Sequence, residues 1–447
     1  MAAHKEERPI ADIAELVAHF EGGAKPTSAL KIGVEHEKVG VLSDGRAPDY
    51  ETIAKLLEAM AARNWNRVEE QGRIIALERP KCGTITLEPG GQLEHSGAPW
   101  PTVIAAVRDN DKHIDELLPL AAALGVRFIG VGFRPFGTLD DVPWMPKGRY
   151  RVMRQYLPTR GSMAHEMMKR TTTVQANLDY ESEDDAMDKL RVAMGLSSLV
   201  TSLFAASPMV DGRAELTDGR AAWQSYRARA WLDTDNDRCG LLPFAFADTA
   251  RFRDYVEWAL DVPLFFVKRD GEYKPAPGVT FRRFLTQGWQ GERALPSDWE
   301  LHLSTLFPET RLKTFVEVRQ ADASSRELVR ALPALWRGVL YDATARHDAW
   351  KLVADWSLDE RLRVYQATPR QGIHGTAHGR PMQAWCRELV SIARDGLSRL
   401  GASDEVALLA PLEKIAAEGR SLADAIAAEY ARVDGDTERL IDFLQLR

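Results

Sequence analysis

The stretch Lys31-Ile-Gly-Val-Glu-His-Glu-Lys-Val-Gly-Val-Leu42 alternates with the period of a strand. Gly33, Glu35, Glu37, Val39 and Val41 share one face, and Ile32, Val34, His36 and Leu42 share the other. Carboxylates at i and i+2 on a strand sit roughly 6–7 Å apart, and like charges that close call for a cation or a proton. A second stretch sets Thr171, Thr173, Gln175, Asn177 and Asp179 against Thr172, Val174, Ala176 and Leu178. A third, Lys313–Arg319, sets Lys313, Glu317 and Arg319 against Thr314, Val316 and Val318. Arg73–Glu78 and Thr84–Glu88 also read as strands. Pro89-Gly90-Gly91 is turn chemistry, from which Gln92–Glu94 returns. Val126–Phe133 reads as a buried strand.

Helical spacing takes over elsewhere. Ile10, Ile13, Leu16, Val17 and Phe20 predict a first helix stopped by Gly22-Gly23, and Ile53, Leu56, Leu57 and Met60 a second. Residues 183–206 read as one helix ending near Pro208, and Phe252–Leu260 as another. The Pro/Gly/Arg-rich segment Pro143–Gly161 reads as a loop, and Ala221–Gly240 as a polar stretch. From about residue 325 the pattern is nearly all helical, with Ser421-Leu-Ala-Asp424 a variant capping box. Antiparallel-looking strands among helices predict an α+β fold. The polar strand faces span 31–319, so a single catalytic domain over 1–447 is expected.

The 447 residues, 45% hydrophobic and 28% charged, can bury a large core. A net charge of −7 argues against a general nucleic-acid partner. No apolar run reaches membrane-spanning length, so no membrane role is expected. Cys82, Cys239 and Cys386 are an odd, widely spaced set without CxxC, which fits a reducing compartment. No signal-peptide core opens the chain, and a cytoplasmic location is expected.

If the polar faces line one sheet, they gather Glu35, Glu37, Glu88, Glu94 and Glu317 with Gln175, Asn177, Lys313 and Arg319. So much negative charge away from bulk water needs counter-charge. Hard divalent cations suit oxygen donors, so Mg2+, with Mn2+ a substitute, is expected, and more than one such ion suits polyphosphate. Lys313 and Arg319 would then stabilise a transferring phosphoryl group. P-loop, GxGxxG, GxSxG and HExxH motifs are absent. A basic set, Lys147, Arg149, Arg151, Arg154 and Arg160, precedes Arg227 and Arg229; some of these suit substrate carboxylates, others a solvated loop. His36 belongs behind the sheet, facing away from the glutamates, and Asp233–Asp237 resembles a calcium loop only superficially.

Val34-Glu-His-Glu-Lys38, Thr86–Glu94, Met145-Pro-Lys-Gly-Arg-Tyr150, Arg170–Asp179, Trp231–Arg238 and His302–Lys313 together resemble plant-type glutamate–cysteine ligase, a family of plants and many bacteria. The likeness runs in order from about residue 10 into the C-terminal helices. It implies a glutamine-synthetase-like fold, a curved antiparallel sheet forming a funnel with helices outside and a helical C-terminal third. It also implies the first step of glutathione synthesis: ATP phosphorylates the γ-carboxylate of L-glutamate, and the amine of L-cysteine attacks the acyl phosphate. Carried over by position, Glu35, Glu37, Glu88, Glu94, Gln175 and Glu317 would bind metal. Lys313, Arg319 and Asn177 would face the nucleotide, with Glu317, Lys313 and Arg319 catalytic, and Arg154, Arg227 and Phe265 would contact substrate.

Three positions depart from the family pattern. Phe265 stands where a tyrosine is common, Gln320 where a glycine is usual, and Arg229 where a histidine is common. They leave open a γ-glutamyl ligase using another amine. A nucleotide- or glutamate-binding sensor and a metal-dependent amidase are rivals of other classes; the retained carboxylate set argues against the first, and Lys313 with Arg319 against the second.

Overall fold

The computed structural model describes residues 7–447. Its centre is a nine-stranded sheet. The strands are β1 (Ile32–Val41), β2 (Asn66–Glu70), β3 (Arg73–Arg79), β4 (Gly83–Leu87), β5 (Leu93–Gly97), β6 (Arg127–Ile129), β7 (Thr173–Leu178), β8 (Thr310–Leu312) and β9 (Val316–Asp322). They run in the order β8-β9-β7-β1-β5-β4-β3-β2, with β6 against the end of β1. Every pairing in it is antiparallel.

The strand alternation has a packing cause. Val34, Val174, Ala176, Leu178, Val318 and Ala321 are buried in one cluster with Leu199, Leu332, Leu335 and Trp336 from helices behind the sheet. Burying each of the valines and leucines contributes roughly 1.5–3 kcal/mol, and a one-residue slip in register would turn the strand residues outward. His36 is fully buried on this rear face, as its position in the alternation predicts.

Several elements differ from the pattern reading. The expected helix 183–206 is two, Glu183–Gly195 and Ser197–Leu203, broken at Leu196 with no proline to signal it. The supposed loop 143–161 contains the helix Gly148–Tyr156, and the polar stretch 221–240 contains Tyr226–Trp231. The expected strand Val126–Phe133 is a strand only over Arg127–Ile129, with Phe133 joined by a single bridge to Thr171. Lys313–Arg319 is not one strand: Leu312 pairs with Val316, so Lys313, Thr314 and Phe315 form the loop of a hairpin. That loop holds no Gly, Pro, Asn or Asp, so its turn was silent in sequence.

The C-terminal third is helical from Arg326–Leu340 to Thr437–Leu444. The Ser421 capping box forms, its hydroxyl accepting from the Asp424 amide and the Asp424 carboxylate from the Ser421 amide. The chain end returns to the sheet, where the Leu446 amide donates to the Phe128 carbonyl. Among the described residues no helix is long and apolar enough to cross a membrane, and all three cysteines are free.

Candidate active site

Neighbouring strands bring the polar positions together row by row. Glu317 sits opposite Asn177, Gln175 opposite Glu35, and Glu37 opposite Glu94, which is itself opposite Thr86. Glu88 closes the set from the end of β4, its amide donating to the Gln92 carbonyl across the turn. That turn needs its glycines: Gly91 has φ +83°, and a Cβ on Gly90 would lie 2.1 Å from the Lys169 carbonyl oxygen.

Glu317 is fully buried, and three cations surround it. Arg311 donates to both carboxylate oxygens at 2.5 and 2.9 Å, Lys313 reaches Oε1 at 3.0 Å, and Arg319 reaches Oε2 at 2.9 Å. Burial alone would raise this carboxyl, but Arg311, Lys313 and Arg319 outweigh it and hold it well below the usual range. Arg311 also donates to the Ser304 and Leu306 carbonyls, which locks its guanidinium. Arg311 carries no signal of this role in the sequence, because its partnership with Glu317 is a cross-hairpin pairing.

The other carboxylates lie in the opposite electrostatic regime. Burial, then Glu317 and Glu94, push Glu35 up to about 7, although Asn177 donates to its Oε1 at 2.7 Å. Burial, then Glu94 and Glu88, push Glu37 well above its ordinary value, while the Thr173 amide donates to Oε2 at 3.0 Å. Thr86 donates to Glu94 at 2.9 Å. Among the described residues, neither Glu35 nor Glu37 has a cation within ion-pair distance, the cations of the row pairing with Glu317 instead. The asymmetry is physical: Arg and Lys gather on the β8–β9 hairpin, leaving the β1 side of the row short of positive charge.

Two expected metal ligands are therefore committed elsewhere. The oxygens of Glu317 bond to Arg311, Lys313 and Arg319, and the Gln175 oxygen accepts from Arg319 at 2.7 Å. Among the described residues no group of three or more His, Cys, Asp or Glu is placed to hold a metal ion. What does fit a hard cation is the donor chemistry of Glu35, Glu37, Glu88 and Glu94, all oxygen, with Glu35 and Glu37 short of positive charge.

Next to this row lies a cavity lined by Glu37, Glu88, Arg149, Thr173, Arg227 and Arg319, with Met153, Met167, Met168, Trp231 and Phe307 as its apolar wall. Arg149 faces it, and among the described residues its one carboxylate neighbour within ion-pair distance is Glu88 at 3.9 Å, beyond hydrogen-bond range. Arg154, expected to grip substrate, instead lies over the Trp144 ring at 5.4 Å and lines a separate cleft, about one and a half helical turns from Arg149. Phe265, expected to contact substrate, is 2% exposed in an apolar cluster, with the Arg238 guanidinium stacked 3.9 Å from its ring centroid. Gln320 points into the core, donating to the Thr310 hydroxyl. Arg227 reaches the cavity, but its guanidinium donates to the Arg319 and Gln320 carbonyls. Asp235, in the stretch that resembles a calcium loop, pairs with buried Arg238.

The chain has known relatives in sequence and in fold. The family model for glutamate-cysteine ligase family 2 (GCS2) matches residues 31–442. The chain is 39% identical over 421 residues to the chloroplastic glutamate–cysteine ligase of Brassica juncea, covering 93% of this chain and 80% of that one. It is 40% identical over 392 residues to the corresponding protein of Medicago truncatula, covering 87% and 76%. In structure it is similar to a glutamate–cysteine ligase from Francisella tularensis in complex with AMP, with TM-score 0.54, 13% identity and coverage of 93% and 87%. It is also similar to a bifunctional glutathione synthetase from Pasteurella multocida, with TM-score 0.50, 12% identity and coverage of 98% and 53%. These two likenesses concern the fold, which is the one the sequence motifs imply. The expected cytoplasmic location is not supported: the curated relatives are named as chloroplastic proteins. With 31–442 matched by one model, the chain belongs to glutamate-cysteine ligase family 2.

Proposed function

We propose that this chain joins the γ-carboxylate of L-glutamate to the amine of L-cysteine at the expense of ATP, the first step of glutathione synthesis, through a γ-glutamyl phosphate with release of ADP and phosphate. The observation that carries the reading is the row of Glu35, Glu37, Glu94 and Glu317 facing Lys313 and Arg319, beside a cavity edged by Arg149 and Arg227. Residues 1–447 would act as one catalytic domain, since the C-terminal helices form the rear packing of the strands that carry the row.

The chemistry follows from charge. A carboxylate attacks a phosphoryl group only where the repulsion between two anions is reduced, so catalysis is positioning plus electrostatic stabilisation. Lys313 and Arg319, oriented by Glu317, would hold the charge that develops on the transferring phosphoryl oxygens. Arg149 would hold a substrate carboxylate, and Met167, Met168 and Trp231 would exclude water from the acyl phosphate. Glu35, Glu37, Glu88 and Glu94 would hold Mg2+ or Mn2+, which supplies neutralisation of the polyphosphate.

The test is phosphate release by the purified protein with ATP, Mg2+ and glutamate, each amino acid and several small amines being supplied in turn. Release greatest with cysteine, with the γ-glutamyl product confirmed by mass, is expected. Release only with another amine would refute the acceptor, and none with any amine would refute the ligase reading.

A further inference from the structure

The strand that carries Glu317 and Arg319 contains a fault in its ladder. On β9, Val318 pairs with Ala176 and Ala321 pairs with Val174, so Arg319 and Gln320 together stand opposite the single residue Gln175. This is a β-bulge, with one extra residue on β9. A bulge re-aims side chains and releases carbonyls from the ladder, and those carbonyls need new donors. Here Arg227 bridges both: Nη2 donates to the Arg319 carbonyl at 2.5 Å and Nη1 to the Gln320 carbonyl at 3.3 Å, while the Thr173 hydroxyl (3.4 Å) and the Thr201 hydroxyl (3.3 Å) each donate to only one of the two. On the other side of the bulge the Arg319 side chain reaches Gln175 and Glu317.

Arg227 is nearly buried and therefore needs an anion of its own. Asp322, the last residue of β9, stands 3.8 Å from Nη1 and is itself fully buried. Its carboxylate is over-determined. Ser207 Oγ donates to it at 2.6 Å, Ser225 Oγ at 2.7 Å and the Ala206 amide at 2.9 Å. Gly132 lies against it so closely that a Cβ there would come within 2.3 Å of the carboxyl carbon. Asp322 does not line the cavity, so it touches no reacting atom.

We infer that Asp322 is a positioning residue for phosphoryl transfer: it orients Arg227, Arg227 clamps the two freed carbonyls of the bulge, and the clamped bulge aims Arg319 at the reacting phosphoryl group. The inference rests on the ligase reading for its kinetic consequence, but its structural half stands apart from it. The carboxylate charge, and not only its shape, is what the device uses.

The experiment is Asp322→Asn, which keeps the shape and removes the charge, measured beside Glu405→Gln. Glu405 binds Arg337 and the Val103 amide within the rear helices, away from the site, and so controls for lost stability. Misplacing a catalytic group by about 1 Å lowers turnover roughly 100-fold, so Asp322→Asn is expected to lower kcat about 10- to 100-fold with KM for cysteine within about threefold. Glu405→Gln is expected to lower Tm without moving kcat more than about twofold. A crystal structure of Asp322→Asn should show Arg319 withdrawn from Gln175. If Asp322→Asn fails to fold, Ser207→Ala removes one donor to the same carboxylate and should lower kcat by a smaller factor, about three- to tenfold. Unchanged kcat in Asp322→Asn, or in Ser207→Ala where that stands in, overturns the inference, as does a retained Arg319–Gln175 contact in the crystal. An inactive wild type would instead refute the ligase reading, and the crystallographic comparison alone would then decide the bulge clamp.

Discussion

Replacing Arg311 with leucine removes the one bidentate partner of a fully buried carboxylate. Breaking a buried ion pair by deleting one side costs about 3–5 kcal/mol, because the remaining charge stays desolvated. Lys313 and Arg319 still face Glu317, which argues for the lower end. Against that, the Ser304 and Leu306 carbonyls lose their donor, at about 1–3 kcal/mol for each that stays buried. We take about 3–4 kcal/mol. Unfolding entropy of about 2.1 cal/mol/K per residue gives roughly 0.9 kcal/mol/K over 447 residues, so Tm should fall by about 3–4 °C. The assay is calorimetric unfolding of the wild type, Arg311→Leu, Glu317→Gln and the double variant. The double variant should lose at least about 1 kcal/mol less than the sum of the singles, because removing the carboxylate removes the reason Arg311 mattered. The sign with pH is fixed too. Glu317 titrates lower folded than unfolded, so its stabilisation is present above about 4.5 and lost as pH falls toward the folded value. The gap between wild type and Arg311→Leu should therefore narrow on acidification. Additivity within about 0.5 kcal/mol, or a gap that widens in acid, would refute the reasoning.

Glu35 titrates at about 7 when folded, above its unfolded value, so the folded state holds this proton more tightly. Without divalent cation, stability should fall as pH rises from about 4.5 through about 7, and millimolar Mg2+ should flatten that fall; identical melting curves with and without Mg2+ at about pH 8 would count against a metal site. Arg149→Ala removes a charge-assisted contact of about 2 kcal/mol and should raise the KM of an amino-acid substrate roughly 30-fold, whereas Arg154→Ala should change it less than about threefold; steady-state kinetics showing the reverse order would return Arg154 to the site. Phe265→Tyr buries a hydroxyl beside Arg238 and should lower stability by about 1–3 kcal/mol while leaving kcat/KM for cysteine within about twofold; a changed acceptor preference would place this ring at the substrate after all.

Much of the molecule was legible in the chain itself. The alternation around Glu35 and Glu37, and around Gln175 and Asn177, is enforced by burial of Val34, Val174, Ala176 and Leu178, a pattern with period two that sequence displays directly. The rear placement of His36 and the Ser421 capping box follow from equally local rules. What sequence could not display is which side chain meets which across the sheet. The three-residue loop Lys313–Phe315 carries no turn residue, and with that hairpin hidden Arg311 could not be paired with Glu317. The bulge at Arg319–Gln320 adds a residue that no propensity marks, so Arg227 read as a free substrate ligand when two backbone carbonyls claim it. Which of Arg149 and Arg154 lines the cavity beside the carboxylates turned on a helix, Gly148–Tyr156, that a Pro- and Gly-rich segment concealed. Periodicity reports whether a side chain faces core or solvent, because that is a property of one strand or helix. Ion-pair partners, charge balance and the accessible face of an arginine depend on neighbours distant in sequence, and only the assembled sheet decided them.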